Sequence, residues 1–473
     1  MKYYLESMGC QMNTADSQHL ASELEKLGHR ATDTLQEADI MVVNTCVVRQ
    51  SAEDKAFSRL GEFNVLKQEN PDRIIAVMGC LVGVQDALRL RKRVPYVDVF
   101  MSPSDPKPMV DFLHSRMSEA EVLQLERNER DQRDALQDGD ILLPAHEQDS
   151  LISAHVPIVY GCSHACSFCI IPRRRGVERS RSVGEIVAHV RSLAVQGVRE
   201  ITLLGQIVDR YGKDVPDGPD LADLLRIVHR VTEDTGLERI RFLTSHPNWM
   251  TDKILDTVAE LPHLMPVIEV PVQAGDDVVL QNMKRGYTVD QYRKLIANIR
   301  SRIPNAAIHS DVIVGFSGET DAQFQNTYDL LAELKLDKIH LARYSPRPHT
   351  LSARSMPDDV SEEVKKHRHE ITDEMQAGVL AEINGRTLGK TVPVLVEENL
   401  KGRWRGRTPQ NKLVFFEDTR EWKGKIANVE ITWTGPWSMQ GRLTGSDSRL
   451  SDAFPIPVFA NDNAQNPQIA LKS

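Results

Sequence analysis

The sequence predicts an α/β protein in three folded parts: an N-terminal Rossmann-like parallel-sheet domain, a central partial (β/α)6 barrel, and a small C-terminal β-barrel. Three observations carry this expectation. Apolar, β-rich runs alternate with helical periodicity over the first hundred residues. The alternation resumes with six strand–helix repeats after Ile152, and from Ile383 onward short strands separated by turn residues replace it.

In the first part, strands are expected at 3–8, 40–43, 74–78 and 96–100, with helices at 16–27 and 51–67. These fall in a first domain, 1–117. Residues 103–150 carry twelve acidic and five basic side chains, so 118–150 reads as a solvated acidic linker with a possible exposed helix at 118–136. Within the second domain, 151–382, strands are expected at 155–160, 200–204, 239–243, 267–272, 307–314 and 338–344. Helices are expected at 182–196, 221–233, 252–260, 289–301 and 322–334. The third domain, 383–447, has strand patterns at 391–396, 412–416, 427–433 and 439–443. It holds eleven basic and seven acidic residues in a chain whose formal charge is −9. A basic module on an acidic body points to a polyanionic partner. The 448–473 tail has the composition of a disordered segment.

The 473 residues are 41% hydrophobic and 26% charged, which excludes collagen-like and globally disordered classes. No apolar run approaches the ~20 residues that cross a bilayer. The opening MKYYLESMGC enters a strand pattern directly, so a soluble, cytoplasmic protein without membrane association is expected.

Six cysteines are too few for a disulfide scaffold, and they fall into two sets of three. Cys10, Cys46 and Cys80 each lie one to three residues past the end of an expected strand. In an open α/β sheet, that rim is where ligands bind. Cys162, Cys166 and Cys169 form a C-x3-C-x2-C run. Structural zinc usually needs four ligands and a redox dithiol only two, whereas three thiolates on one loop suit an iron–sulfur cluster with one open iron. His164 stands inside the loop and could in principle be a fourth ligand.

The 161–169 run, Gly-Cys-Ser-His-Ala-Cys-Ser-Phe-Cys, resembles the signature loop of the radical S-adenosylmethionine enzymes. That resemblance implies an open iron chelating the methionyl group, and one-electron cleavage to a 5′-deoxyadenosyl radical. Gly9-Cys-Gln-Met-Asn13 with Asp16-Ser17, Asn44-Thr45-Cys46 and Met78-Gly79-Cys80 resemble the three-cysteine N-terminal domain of the methylthiotransferases. Segments at 176–181, 205–206, 245–247, 311–320 and 344–348 match that family in order. Residues 383–447 resemble its RNA-binding TRAM domain, with Gly406-Arg407-Thr408 and Leu413-Val414-Phe415-Phe416 in typical places. The Gln11-Met12 pair looks like the MiaB-type, tRNA-modifying branch. The segments 205–209, 272–276 and 348–351 depart from that branch's usual forms.

The resemblance implies two 4Fe-4S clusters, one on Cys10, Cys46 and Cys80 and one on Cys162, Cys166 and Cys169. It also implies S-adenosyl-L-methionine, a tRNA anticodon loop as substrate, a low-potential electron donor and a sulfur donor. The implied reaction is methylthiolation at C2 of N6-(dimethylallyl)adenosine. Gln206, Ser245 and Gln273 stand at strand ends that would face the cofactor, and Gly315 permits close backbone approach. Arg173, Arg174 and Arg175, beside the cluster loop, are expected phosphate contacts. Arg403, Trp404, Arg405 and Arg407 alternate charge with a ring, which suits stacking and phosphate pairing on RNA; a buried Trp404 in a β-hairpin is the alternative. Rival readings are another modified adenosine as target, an aspartate in a ribosomal protein, and a non-catalytic RNA-binding or iron-sensing relative.

Overall fold

A computed structural model describes residues 1–47, 50–84, 87–118, 125 and 140–444, with backbone alone at 50–51 and 87–89. Apart from residues 118 and 125, the helix expected at 118–136 lies outside the described residues, as does the tail at 448–473. The described chain divides into two compact units. One holds Met1–Glu238 and Arg347–Thr350, and the other holds Arg239–Pro346 and the residues from Leu351 onward.

The first unit opens with a five-stranded sheet: β1 (Lys2–Ser7), β2 (Arg30–Ala31), β3 (Ile40–Thr45), β4 (Ile74–Gly79) and β5 (Val99–Met101). All its strand pairs are parallel, and the spatial order is β2-β1-β3-β4-β5. This is the flavodoxin-type order, not the 3-2-1-4-5-6 order of a Rossmann sheet; its topological switch point falls between β1 and β3. Every residue of β3 and β4 is buried, as a central strand covered on both faces requires. Alternate residues feed two cores: Met41, Val43, Ile75 and Val77 on one face, and Ile40, Val42, Ile74 and Ala76 on the other.

Helix α1 (Gln11–Lys26) starts five residues earlier than its apolar periodicity suggested, because its first turn, Gln11-Met12-Asn13-Thr14, has a single apolar residue. Helix α2 (Gln50–Glu69) follows β3, and α3 (Ala87–Arg93) precedes β5. Helix α4 (Lys107–His114) occupies sequence read as part of the charge-rich break; Met109 and Leu113 bury one face of it against the sheet.

Still in the first unit, β6 (Ser153–Pro157) pairs in parallel with β9 (Glu200–Leu204). Between them, the short antiparallel pair β7 (Val159–Tyr160) and β8 (Arg179–Ser180) brackets the 161–178 loop and the helix Ile171–Arg175. The helix Val183–Val195 begins with a capping box between Ser182 and Glu185.

In the second unit, β10 (Arg239–Phe242) is followed by a parallel sheet of β11 (Val267–Glu269), β12 (Ala307–Val314) and β13 (Lys338–Arg343). The composition shift at Ile383 falls within the last turn of the helix Glu362–Gly385. Beyond it, β14 (Thr391–Leu400), β15 (Arg403–Arg407), β16 (Leu413–Glu417), β17 (Ile426–Thr434) and β18 (Met439–Leu443) close a barrel in the order β14-β15-β16-β18-β17. Its core includes Val394, Val414, Phe416, Val429 and Ile431.

Candidate functional site

Cys10, Cys46 and Cys80 follow β1, β3 and β4 by three, one and one residues, and these three strands are immediate neighbours. Since adjacent strands lie about 4.8 Å apart, the topology gathers thiols from three distant stretches onto one rim. Cys10 and Cys46 flank the switch point, where the connections leaving the paired strands β1 and β3 part to opposite sides and leave a crevice.

A buried polar network locks the three turns together. The Asn13 amide donates to Asn44 Oδ1 (3.0 Å) and to the Thr45 carbonyl (2.8 Å), and the Asn44 amide donates back to the Asn13 carbonyl (2.8 Å) and to Ser17 Oγ (3.0 Å). Thr45 Oγ1 donates to the Met78 carbonyl (2.7 Å), and the Cys80 N–H donates to the Thr45 carbonyl (3.0 Å). Asn13, Asn44 and Thr45 are each fully buried. Their place in the sequence motifs assigns Asn13, Asn44 and Thr45 no role by itself. Their signal was an amide or hydroxyl side chain next to a cysteine-bearing strand end.

Gly79 takes φ +97°, and a Cβ there would sit 2.4 Å from Asn44 Oδ1 and 2.6 Å from the Thr45 carbonyl. Only glycine lets this turn close against the network. Burial pushes the Cys80 thiol up to about 12, with Arg175 opposing the shift and Cys46 and Cys10 adding to it. A thiol in such surroundings needs a bound cation to become a thiolate.

The second trio lies on the loop between β7 and β8. The Cys162 N–H donates to the Gly176 carbonyl (3.1 Å), the Cys169 N–H to the Cys166 carbonyl (3.3 Å), and the Glu178 N–H to Ser163 Oγ (3.1 Å). The next residue after the trio, Ile170, is buried in the core of the five-stranded sheet. Gly161 has φ +71°, and a Cβ there would meet the Val177 carbonyl at 2.1 Å. Burial raises the Cys162 thiol to about 11. His164 is half-buried, and its backbone N–H lies 3.4 Å from Cys162 Sγ.

Three free thiols in each set suit the corners of an iron–sulfur cubane with one iron left for another ligand. Two buried side-chain oxygens at expected cofactor positions, Gln206 Oε1 and Ser245 Oγ, have no hydrogen-bond partner among the described residues. Buried polar atoms are normally satisfied, so such orphans fit positions that a polar ligand completes. Gln273 is 8% exposed and holds φ +69°, a left-handed conformation uncommon for glutamine. Gly315 also has φ +72°, but a Cβ there would lie 2.3 Å from Lys365 Cγ. The close approach it permits is therefore to the chain's own lysine stem.

Two expectations about RNA contacts are corrected. Arg175 is buried, and its guanidinium donates to Asp16 Oδ2 (2.9 Å), Ser104 Oγ (3.2 Å) and Asn13 Oδ1 (3.4 Å), so it does not face solvent phosphates. Arg173 is exposed and Arg174 half-buried. Trp404 is 5% exposed in the barrel core, and its indole N–H donates to the Asp418 carbonyl (3.0 Å), so its ring cannot stack on a base. Arg403 pairs with Glu417 (3.1 Å), Arg407 with Glu397 (3.0 Å), and Arg405 with Glu398. Trp437, between β17 and β18, is 53% exposed.

On one face of β11–β13, register places Glu269 beside His309 and His309 beside Lys338, with Asp311 beside His340 one step on. Burial raises Glu269 to about 7 and holds His340 down at about 4. Ligand atoms of Glu269, His309 and His340 lie within 4.8 Å of one another. Lys338, Lys412 and Arg241 all act on His309, however, and so many cations disfavour a metal ion there.

Residues 2–102 match the Uncharacterized protein family UPF0004, residues 156–331 the Radical SAM superfamily, and residues 385–444 the TRAM domain. A tRNA-2-methylthio-N(6)-dimethylallyladenosine synthase of Roseiflexus sp. (strain RS-1) is 46% identical over 98% of this chain and 94% of its own length. The protein of that name from Herpetosiphon aurantiacus is 44% identical over 94% of this chain and 98% of its own. Among solved structures, the radical S-adenosylmethionine methyltransferase TsrM of Kitasatospora setae aligns with 74% of this chain and 77% of its own, with a TM-score of 0.54 and 14% identity. At that identity it is the fold that is shared.

Proposed function

The chain belongs to the family of tRNA-2-methylthio-N(6)-dimethylallyladenosine synthases, within the radical SAM superfamily, and from that premise we propose that it methylthiolates C2 of N6-(dimethylallyl)adenosine beside the tRNA anticodon. The observation that carries this reading is the pair of cysteine trios, one on three neighbouring strand ends and one on the 161–169 loop.

S-adenosylmethionine and 4Fe-4S chemistry follow from the family; that there are two clusters, one on each trio, is our reading of the donor sets. When bound, these groups supply the one-electron chemistry that an unactivated C–H bond requires, together with the sulfur and the methyl group. The chain's own residues hold and orient. Asn13, Asn44 and Thr45 fix the first trio's turns, and the Cys162–Gly176 backbone bond fixes the second trio's loop. In this proposal Gln206 Oε1 and Ser245 Oγ each accept from a polar group of S-adenosylmethionine, and Gln273 is a further candidate contact. Arg173 and Arg174 contact phosphates, and the C-terminal barrel grips the RNA through Arg403, Arg405 and Arg407, with Trp437 stacking in place of Trp404. A low-potential electron donor and a sulfur donor complete the set of partners. No helix among the described residues is long and apolar enough to cross a membrane, and we place the reaction in the cytoplasm.

Mass spectrometry of tRNA nucleosides from cells with and without the gene tests the proposal. Loss of the 2-methylthio nucleoside, with accumulation of N6-(dimethylallyl)adenosine, is expected on deletion. An unchanged nucleoside pool would overturn it.

A further inference from the structure

We propose that the buried Arg175–Asp16 pair sets the reduction potential of the cluster held by Cys10, Cys46 and Cys80, with Arg175 acting as a positioning residue that reaches it from the loop of the second trio. The inference rests on the proposed N-terminal cluster and goes beyond it by naming what tunes that cluster.

Arg175 ends the helix Ile171–Arg175, six residues past Cys169, yet its guanidinium is spent on the first trio's surroundings. Its side chain is 3% exposed and that of Asp16 is 1% exposed, with 2.9 Å between Nη2 and Oδ2. Ser104 Oγ donates to the other Asp16 oxygen (2.5 Å) and accepts from Arg175 Nη1 (3.2 Å), closing a ring of three side chains. Asn13 Oδ1 accepts from Arg175 Nη2 (3.4 Å) and lies 3.4 Å from Cys10 Sγ, so a single amide oxygen joins the guanidinium to a cluster thiol. Arg175 is the main charge opposing the buried environment of Cys80, and it interacts with Cys10 as well.

A buried pair with both partners present is neutral overall, and removing either partner leaves one uncompensated charge in a low-dielectric interior. Cluster potentials respond to net charge and to hydrogen bonding around the sulfurs. The step concerned is a one-electron reduction of the cluster, in which no bond is made or broken; in the test the electron comes from dithionite. A positive charge nearby favours the reduced form and a negative charge disfavours it, so the two partners push in opposite directions.

The test uses the full-length chain with Cys162→Ala, Cys166→Ala and Cys169→Ala, so that only the N-terminal trio can hold iron. It is reconstituted anaerobically and titrated with dithionite under EPR detection. Asp16→Asn is expected to move the midpoint potential positive, Arg175→Gln to move it negative, and the double variant to return toward the parent. Arg175→Lys is expected to stay near the parent. Shifts of the same sign in both single variants, or no shift at full iron loading, would overturn the tuning role. Failure of both Asp16→Asn and Arg175→Lys to retain iron would reduce the pair to a structural clamp, and overturn it too. A parent protein that binds no iron would instead overturn the N-terminal cluster itself, and with it this inference.

Discussion

Glu269 is buried at the end of β11, 7% exposed, with its carboxyl oxygen accepting from the Thr244 N–H (3.0 Å). Burial comes first in raising it to about 7, and the nearby Asp311 adds to the shift. The unfolded chain releases this proton near the ordinary carboxylate value, so between about pH 4.5 and 7 the folded state binds the extra proton. The stability tied to a protonated Glu269 is therefore complete below pH 4.5 and is lost as the pH rises through 7. Glu269→Gln keeps the acceptor but cannot ionise. Its melting temperature is expected to match wild type near pH 4.5 and to exceed it by a few degrees at pH 8, measured by thermal unfolding across pH. His309 and His340, whose buried rings resist protonation, drive stability the other way with pH in both proteins, and Asp311, itself raised by burial, loses a neighbouring charge in the variant. A gap that stays constant with pH would mean that Glu269 is already ionised in the fold.

At the scale of elements, β15 shows how a charge-and-ring pattern divides once it becomes a strand. Side chains alternate between faces, so Trp404 points into the barrel while Arg403 and Arg405 point outward to Glu417 and Glu398. Trp404→Ala is expected to destabilise the protein by about 3–5 kcal/mol, the usual cost of deleting a core aromatic. Trp404→Phe keeps most of the buried ring and loses only the bond to the Asp418 carbonyl. Chemical denaturation together with tRNA binding measurements separates the two roles: the Phe variant should bind tRNA as wild type does. A loss of affinity in a well-folded Phe variant would return Trp404 to the RNA surface. The same alternation explains β3 and β4, whose apolar runs at 40–43 and 74–78 serve a sheet covered on both sides.

Across the whole molecule, residues 383–447 carry a net +4 in a chain of net −9, so the remaining residues sum to −13. A polyanion is thus attracted by one module and repelled by most of the rest, which helps orient its approach. Binding of tRNA should weaken steeply with added salt, since each phosphate contact releases a condensed counterion. A filter-binding series from 50 to 200 mM salt would be expected to show at least a tenfold loss in affinity. A flat response would place recognition in base contacts alone and argue against the arginine surface.

The six cysteines, their grouping in threes and the strand–helix alternation were legible in the chain itself, because spacing and periodicity are local properties. Several helices, at Leu221–Glu233 and Asp252–Glu260 for example, fell where their apolar period put them. Three things were decided only by folding. The strand order β2-β1-β3-β4-β5 put three distant thiols on adjacent turns, since neighbours in a sheet need not be neighbours in sequence. Burial turned Arg175 from an expected phosphate contact into the partner of Asp16, and Trp404 from a stacking surface into core. Long-range packing chooses which members of a charged or aromatic run face inward, and a run of residue types carries no record of that choice.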